Sequence, residues 1–278
     1  MYEKAITRSN PSAFLFLIDQ SGSMADKMPS EKAKSQYVAD VLNRTLYELV
    51  IRCTRNDGVR DYFHVGVLCY NGTGVFNGFQ GELNSSIMQP LSKIEANPLR
   101  VEDRLKKVSD GAGGYIQETI KFPVWFEPTA DGGTPMCAAL LKAAEEITLW
   151  CDNPANADSF PPTILHITDG ESTDGDPEEI AKQLRQISTS DGPILLFNLH
   201  VSSVQAEPIS YLSSENALPD EYAKLLFRMS SPLPQQLVTY AQDKISSITT
   251  ESKGFVFNAD DISIVDFLDI GTRAAQLR

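Results

Sequence analysis

Three short polar segments of this chain carry small oxygen donors beside glycine. They are Asp19-Gln20-Ser21-Gly22-Ser23, Asp131-Gly132-Gly133-Thr134-Pro135 and Thr168-Asp169-Gly170. Carboxylate and hydroxyl oxygens are the ligands that hard divalent cations such as Mg²⁺ and Mn²⁺ prefer. With few carboxylates in the set, a bound ion would stay electrophilic and would attract a carboxylate from outside. The segments therefore predict a site for one divalent cation.

Buried strands are predicted directly before two of these segments. The continuous apolar run Ala13–Ile18 is typical of a strand covered on both faces, and Thr163–Thr168 is a second run of strand length. The aromatic, strand-like run Ile120–Phe126 precedes the remaining segment. In an open α/β sheet, ligands bind at the carboxyl ends of the strands, so these segments are expected to meet there.

Strands and helical patterns alternate along most of the chain, which predicts an α/β fold with a doubly wound, mostly parallel sheet and helices on both faces. Asn71-Gly72 is a strong hairpin signal and predicts one short antiparallel edge strand near residues 73–76. No composition break divides the chain, so residues 1–278 are interpreted as a single domain. Weaker patterns suggest short helices over 101–108 and 244–249, and the segments 77–130 and 202–253 are interpreted as elaborations.

Composition and charge exclude some classes of function. The chain has 278 residues, a formal net charge of −13 and a pI of about 4.7. An acidic chain argues against nucleic acid as the main partner, because phosphate contacts need clustered Lys and Arg. No run approaches the roughly 18 apolar residues of a membrane span, and no signal-peptide pattern opens the sequence. The four cysteines form no CxxC pair. Together these features predict a cytoplasmic protein with no membrane partner.

The ordered set of motifs resembles the metal-ion-dependent adhesion site of von Willebrand factor type A (vWA) domains, over roughly residues 13–275. The matching residues are Asp19, Ser21, Ser23, Thr134 and Asp169. The resemblance implies the vWA fold, one Mg²⁺ ion (Mn²⁺ or Ca²⁺ being alternatives), and a protein partner whose Asp or Glu completes the coordination shell. The chain resembles compact bacterial intracellular vWA proteins more than secreted adhesive ones. This resemblance makes an ATPase, kinase or phosphatase of the same system a candidate partner.

The resemblance also implies a role for each residue of the site. Ser21 and Ser23 would contact the metal directly, and Thr134 would do so directly or through water. Asp19 and Asp169 would act mainly through water. Glycines would let the loops fold around the ion, and Asp131 is a candidate for indirect support. The supporting glycines are Gly22, Gly133 and Gly170.

Simpler interpretations remain open for these residues. Asp19, Ser21 and Ser23 could be a helix-capping cluster after a strand, and Thr134 could cap the helix that Pro135 opens. Asp176 is interpreted as a helix cap and Asp174 as a solvated side chain. An aromatic group before Thr134 could be core packing or an exposed partner surface; it consists of Phe122, Trp125 and Phe126.

Three functions compete on the sequence. The favoured one is a metal-dependent protein–protein interaction module without enzymatic activity. The second is a Mg²⁺-dependent phosphatase-like enzyme with Asp19 as nucleophile, although Ser21 stands where the DxDx[TV] pattern has its second Asp. The sequence has neither a P-loop nor a GxSxG motif. The third is a scaffold subunit whose metal only stabilises the fold.

Overall fold

The computed structural model describes residues 1–109, 115–203 and 207–272. The strands are β1 Ser12–Asp19, β2 Thr54–Arg55, β3 Gly58–Val59, β4 Phe63–Asn71, β5 Gly74–Asn77, β6 Met88–Pro90, β7 Arg100–Ser109, β8 Tyr115–Val124, β9 Thr163–Thr168, β10 Ser188–Thr189, β11 Gly192–Pro193, β12 Leu195–Val201, β13 Ile209–Ser210 and β14 Phe255–Ala259. The helices are α1 Lys34–Cys53, α2 Leu91–Ala96, α3 Met136–Cys151, α4 Glu178–Leu184, α5 Glu221–Met229, α6 Gln235–Gln242 and α7 Asp261–Gly271.

The central sheet has the order β13-β14-β12-β9-β1-β4-β5, and β6 also pairs with β4. The neighbours β14, β12, β9, β1 and β4 run parallel to one another. Numbering the six main strands along the chain gives the order 3-2-1-4-5-6, which is that of the doubly wound α/β fold. The order reverses beside β1, so the carboxyl end of β1 lies where ligands bind in such sheets.

Strand β1 shows why the sheet is buried on both faces. All eight of its residues are buried. Phe14, Phe16 and Ile18 pack into one apolar cluster with α1, α6 and α7. Leu15 and Leu17 point to the opposite face and pack with α3, α4 and α5. Because side chains alternate across a strand, an unbroken apolar run is what two helix-covered faces require.

The predicted fold class is confirmed, including the hairpin at Asn71-Gly72. Strand β5 pairs antiparallel with β4, from Asn71 opposite Gly74 to Leu68 opposite Asn77. The sheet has more antiparallel pieces than predicted, because β6 also pairs antiparallel with β4 and β13 pairs antiparallel with β14. Short antiparallel strands therefore flank the parallel core on both edges.

Within the 77–130 segment, the predicted helix over 101–108 is wrong. Residues 100–109 form β7, which pairs antiparallel with β8 over its whole length. Val101 and Leu105 stand four residues apart, as on a helix face, but both are exposed, at 55% and 68%. The pairing with β8 decided this conformation, and it lies outside any local window. The glycine-rich residues 111–114 lie outside the described residues.

The 202–253 segment holds α5 and α6, and the helix expected over 244–249 is wrong. Helix α6 instead covers Gln235–Gln242 and starts directly after Pro234, whose fixed φ suits a helix start. Residues 244–249 form turns, and Gln242 Nε2 donates to the Ile248 carbonyl at 2.8 Å. The sequence also predicts a final helix that Asp260 caps and that ends near Ala275. Asp260 does cap α7, and Ala275 lies outside the described residues.

Two further features concern the chain as a whole. Across the described residues, every helix is too short or too polar to traverse a bilayer. All four cysteines are buried free thiols. Burial raises the pKa of the Cys53 thiol to about 11 and that of the Cys151 thiol to about 12, so these thiols stay protonated at neutral pH.

Candidate metal centre

Asp19 is the last residue of β1 and forms the floor of the predicted site. Its side chain is fully buried. One carboxylate oxygen accepts from the Ser21 amide at 2.8 Å, and the other accepts from the Thr168 hydroxyl at 2.7 Å. Burial raises the pKa of Asp19 to about 6, while the hydrogen bonds from Ser21 and Thr168 oppose that rise. A buried carboxylate of this kind is stabilised in its charged form by a nearby cation.

The hydroxyls of Ser21 and Ser23 continue from Asp19 towards Asp169. Ser21 Oγ lies 3.2 Å from Ser23 Oγ, and Ser23 Oγ donates to Asp169 Oδ1 at 2.7 Å. A short 3-10 turn, Gly22–Ala25, brings the two serines together. Neighbouring ligands of an octahedral Mg²⁺ ion, each about 2.1 Å from the metal, lie about 3 Å apart. The spacing of these oxygens therefore fits adjacent positions around a small divalent cation.

Thr134 faces the same space from the loop before α3. A β-carbon placed on Gly170 would lie 3.7 Å from Thr134 Oγ1 and 3.9 Å from Ser23 Oγ, so Gly170 borders both hydroxyls. Thr173 ties the loops together. Its hydroxyl accepts from the Thr134 amide at 3.0 Å, and its amide donates to the Thr134 carbonyl at 2.9 Å.

Backbone contacts fix the second loop against the first. The Asp131 amide donates to the Gln20 carbonyl at 2.8 Å, and the Gly22 amide donates to the Gly132 carbonyl at 2.9 Å. The Asp131 carbonyl accepts from the Gly72 amide at 3.1 Å. Asp131 itself is exposed. Its structural contribution comes from its backbone, and a role for its carboxylate near the ion stays a prediction.

A lysine that the sequence did not single out also reaches the site. Lys34, the first residue of α1, donates from Nζ to Asp169 Oδ2 at 2.8 Å. The Lys34 side chain is 5% exposed, and the Asp169 side chain is completely shielded. The two oxygens of Asp169 are thus divided between Ser23 and Lys34. The sequence contained one indication of this contact. Lys34 lies in the first turn of a helix, where the helix dipole is unfavourable for a positive charge.

The structure brings all five predicted residues to one edge of the sheet. The donor set is oxygen-rich with only two carboxylates, and nowhere in the described part of the chain do three His, Cys, Asp or Glu side chains gather as metal ligands. Oxygen donors of this type fit Mg²⁺ or Mn²⁺ better than a soft metal. The motif does not identify Thr168 as a site residue, but its hydroxyl orients Asp19.

Several side chains near the site accept from helix amides or pack in the core. Asp176 accepts from the Glu178 amide at 2.9 Å and so satisfies the first amide of α4, although the N-cap residue is Pro177 rather than Asp176. Asp174 is exposed, as expected, but it also accepts from two amides at the start of α3. The aromatic group consists of core residues and is not a partner surface; its members, Phe122, Trp125 and Phe126, are all buried.

The chain matches no protein-family model and no curated protein in sequence. Solved structures with a similar shape include the pilus adhesin SpaC from Lactobacillus rhamnosus GG, at 11% identity and a TM-score of 0.47. That alignment covers 94% of this chain and 30% of the adhesin chain. The vWF domain of the type V pili tip protein Mfa5 from Porphyromonas gingivalis aligns at 14% identity and a TM-score of 0.33, covering 59% of this chain and 39% of that one.

Manganese-loaded TRAP protein from Plasmodium vivax aligns at 11% identity and a TM-score of 0.39, covering 94% of this chain and 72% of that chain. This chain therefore spans less than half of the adhesin and Mfa5 chains it matches. The strand order and pairing of the central sheet define the class of protein, a doubly wound α/β domain with an oxygen-rich loop site at the carboxyl end of β1.

Proposed function

We propose that this chain is a vWA-type interaction module that binds one divalent cation and uses it to hold an acidic residue of a protein partner. The observation that carries the proposal is the run of oxygens from Ser21 Oγ through Ser23 Oγ to Asp169 Oδ1, with separations of 3.2 and 2.7 Å. Hydroxyls bring no charge to an ion, so a cation held by them keeps a strong attraction for an incoming carboxylate.

The residue roles follow the family resemblance. Ser21 and Ser23 would bind the ion directly, Thr134 directly or through water, and Asp19 and Asp169 mainly through water. Mg²⁺ is the preferred ion, with Mn²⁺ or Ca²⁺ as alternatives. An ATPase, kinase or phosphatase of the same system is the proposed kind of partner, and the cytoplasm is the proposed compartment.

The first experiment is a calorimetric titration of Mg²⁺, Mn²⁺ and Ca²⁺ into the wild type and the double variant Ser21→Ala, Ser23→Ala. The wild type is expected to bind one ion per chain and the double variant none. The matched control is Ser85→Ala, Ser86→Ala, which removes two exposed hydroxyls that precede β6. A wild type that binds no divalent cation would contradict the proposal.

Partner binding is tested separately from metal binding. The wild type, immobilised in Mg²⁺, is expected to retain proteins from a cell extract that the double serine variant does not retain and that EDTA releases. Retention that persists in EDTA, combined with a lower melting temperature after chelation, would favour the scaffold function in which the metal is only structural.

The enzyme alternative has its own test. Hydrolysis of p-nitrophenyl phosphate with Mg²⁺ is expected to stay at the level of the buffer. Turnover that disappears in Asp19→Asn would overturn the interaction module in favour of a phosphatase-like activity. The burial of Asp19 and its two hydrogen bonds support a positioning role for this carboxylate rather than attack on a substrate.

A further inference from the structure

The position of Lys34 is unusual for a lysine. Its side chain is only 5% exposed, although it is the first residue of α1, where the helix dipole disfavours a positive charge. Burying a long, flexible ammonium side chain also costs solvation and rotamer freedom. Whether the burial of Lys34 is favourable therefore depends on the groups that its ammonium contacts.

The ammonium of Lys34 lies against two residues of the predicted metal site and against the neighbouring Asp26. Nζ donates to Asp169 Oδ2 at 2.8 Å and to the Ser23 carbonyl at 3.4 Å, and it lies 3.7 Å from Asp26 Oδ2. Asp26 is mostly exposed, whereas the Asp169 side chain is fully shielded. The pair with Asp169 is accordingly the close and desolvated one.

This pairing gives the site a cation of its own. Asp169 is satisfied by the Ser23 hydroxyl on one oxygen and by the Lys34 ammonium on the other. The remaining carboxylate, Asp19, accepts hydrogen bonds on both oxygens. The loops can therefore stay assembled without a divalent ion, because every buried carboxylate oxygen of the site has a donor.

We propose that Lys34 is a tethered cation that competes with the divalent ion for Asp169 and so sets the metal affinity of the site. The inference rests on the proposed metal-dependent function. A divalent ion bound by Ser21 and Ser23 would add a second positive charge beside the same shielded carboxylate, where two cations repel each other strongly. The ammonium keeps the metal-free site ordered and makes metal binding weaker than the oxygen donors alone would allow.

The test compares Mn²⁺ and Mg²⁺ affinities of the wild type, Lys34→Met and Lys34→Arg by calorimetry. Lys34→Met is expected to bind about tenfold more tightly or better, because the competing charge is gone. Lys34→Arg keeps the charge and is expected to stay within about threefold of the wild type. The control is Lys244→Met, which removes an ammonium paired with Asp266 and Asp269 on α7, and its metal affinity is expected not to change.

Thermal melting provides a readout that does not depend on metal-loaded function. In EDTA, Lys34→Met is expected to melt several degrees below the wild type, because the shielded Asp169 loses its partner. Saturating Mn²⁺ is expected to raise the melting temperature of Lys34→Met by more than it raises that of the wild type. Equal affinities in the wild type and Lys34→Met, or weaker binding by the variant, would overturn the inference and leave the metal site intact.

A second measurement uses the wild type and covers the case in which Lys34→Met does not fold. Acetylation of Lys34 by an N-hydroxysuccinimide ester, followed by mass spectrometry, is expected to be several-fold faster in saturating Mn²⁺ than in EDTA. If metal binding leaves the acetylation rate of Lys34 unchanged, Lys34 does not compete with the ion. That result would overturn this inference but not the proposed function. Failure of both the wild type and Lys34→Met to bind any divalent ion would overturn the proposed function as well.

Discussion

The backbones of Gly72 and Gly132 are in direct contact. A β-carbon on Gly132 would lie 2.5 Å from Gly72 Cα, and one on Gly72 would lie 2.7 Å from Gly132 Cα. Gly132 also has a φ of +64°, a conformation that other residues adopt only with strain. The contact places the turn after β4 against the loop that carries Thr134, so it determines how closely that loop approaches β1.

Gly132→Ala is therefore expected to be strongly destabilising. The left-handed φ and the clash with the Gly72 backbone together should lower the free energy of unfolding by about 3 kcal/mol. The control is Gly81→Ala, because Gly81 has a φ of +61° with nothing near its absent β-carbon. It should lose only about 1 kcal/mol. Urea denaturation measures both, and equal losses would show that the contact is unimportant.

Asp174 is expected to support the Thr134 loop by capping α3. Its carboxylate accepts from the Cys137 and Ala138 amides, each at 2.9 Å, and from the Ser172 hydroxyl at 2.8 Å. Asp174→Ala should lower the free energy of unfolding by about 1–2 kcal/mol and weaken Mg²⁺ binding, because α3 starts directly after the Thr134-Pro135 pair.

The matched variant for this prediction is Asp176→Ala, which removes the acceptor of the first α4 amide instead. It should cost a similar free energy of unfolding and leave the affinity for Mg²⁺ unchanged. Chemical denaturation and calorimetry on the two variants separate the effect on stability from the effect on the site. Equal Mg²⁺ affinities in Asp174→Ala and Asp176→Ala would contradict the positioning role of Asp174.

His166 makes stability depend on pH. It is fully buried in β9, with Nε2 2.7 Å from the Tyr70 hydroxyl and Nδ1 2.8 Å from Asn198 Oδ1. Burial lowers the pKa of His166 to about 4, although the hydrogen bond with Asn198 opposes that change. The unfolded chain binds this proton near pH 6.5, so between pH 6.5 and 4 the unfolded state holds more protons than the folded state.

The stability contributed by neutral His166 is therefore complete above pH 6.5 and decreases as the pH falls towards 4. The share of His166 in the loss between pH 7.5 and pH 5 is expected to be about 2 kcal/mol, measured as the difference between the wild type and His166→Gln in urea unfolding at each pH. His166→Gln should flatten this profile but not abolish it, because burial also lowers the pKa of His200 to about 4. An unchanged profile in His166→Gln would contradict this assignment.

Much of the fold could be predicted because its signals are local. The apolar run of β1 and the Asn71-Gly72 turn each report a conformation that neighbouring residues determine. The pairing of strands that are distant in the sequence could not be predicted from such local signals. The 100–109 segment has a helix-like spacing of apolar residues, and only its partner β8 makes it a strand.

The same division applies to the candidate site. The sequence by itself predicted the oxygen donors Asp19, Ser21, Ser23, Thr134 and Asp169, and parallel strands bring the carboxyl ends of β1 and β9 to one edge. Thr134 instead follows β8, which lies outside the central sheet, so backbone contacts between loops place it beside the others. Only the tertiary structure decided that Lys34 and Thr168 complete the charge and hydrogen bonding of the two carboxylates. Such contacts depend on the reach and direction of side chains from separate elements, and spacing along the chain does not encode them.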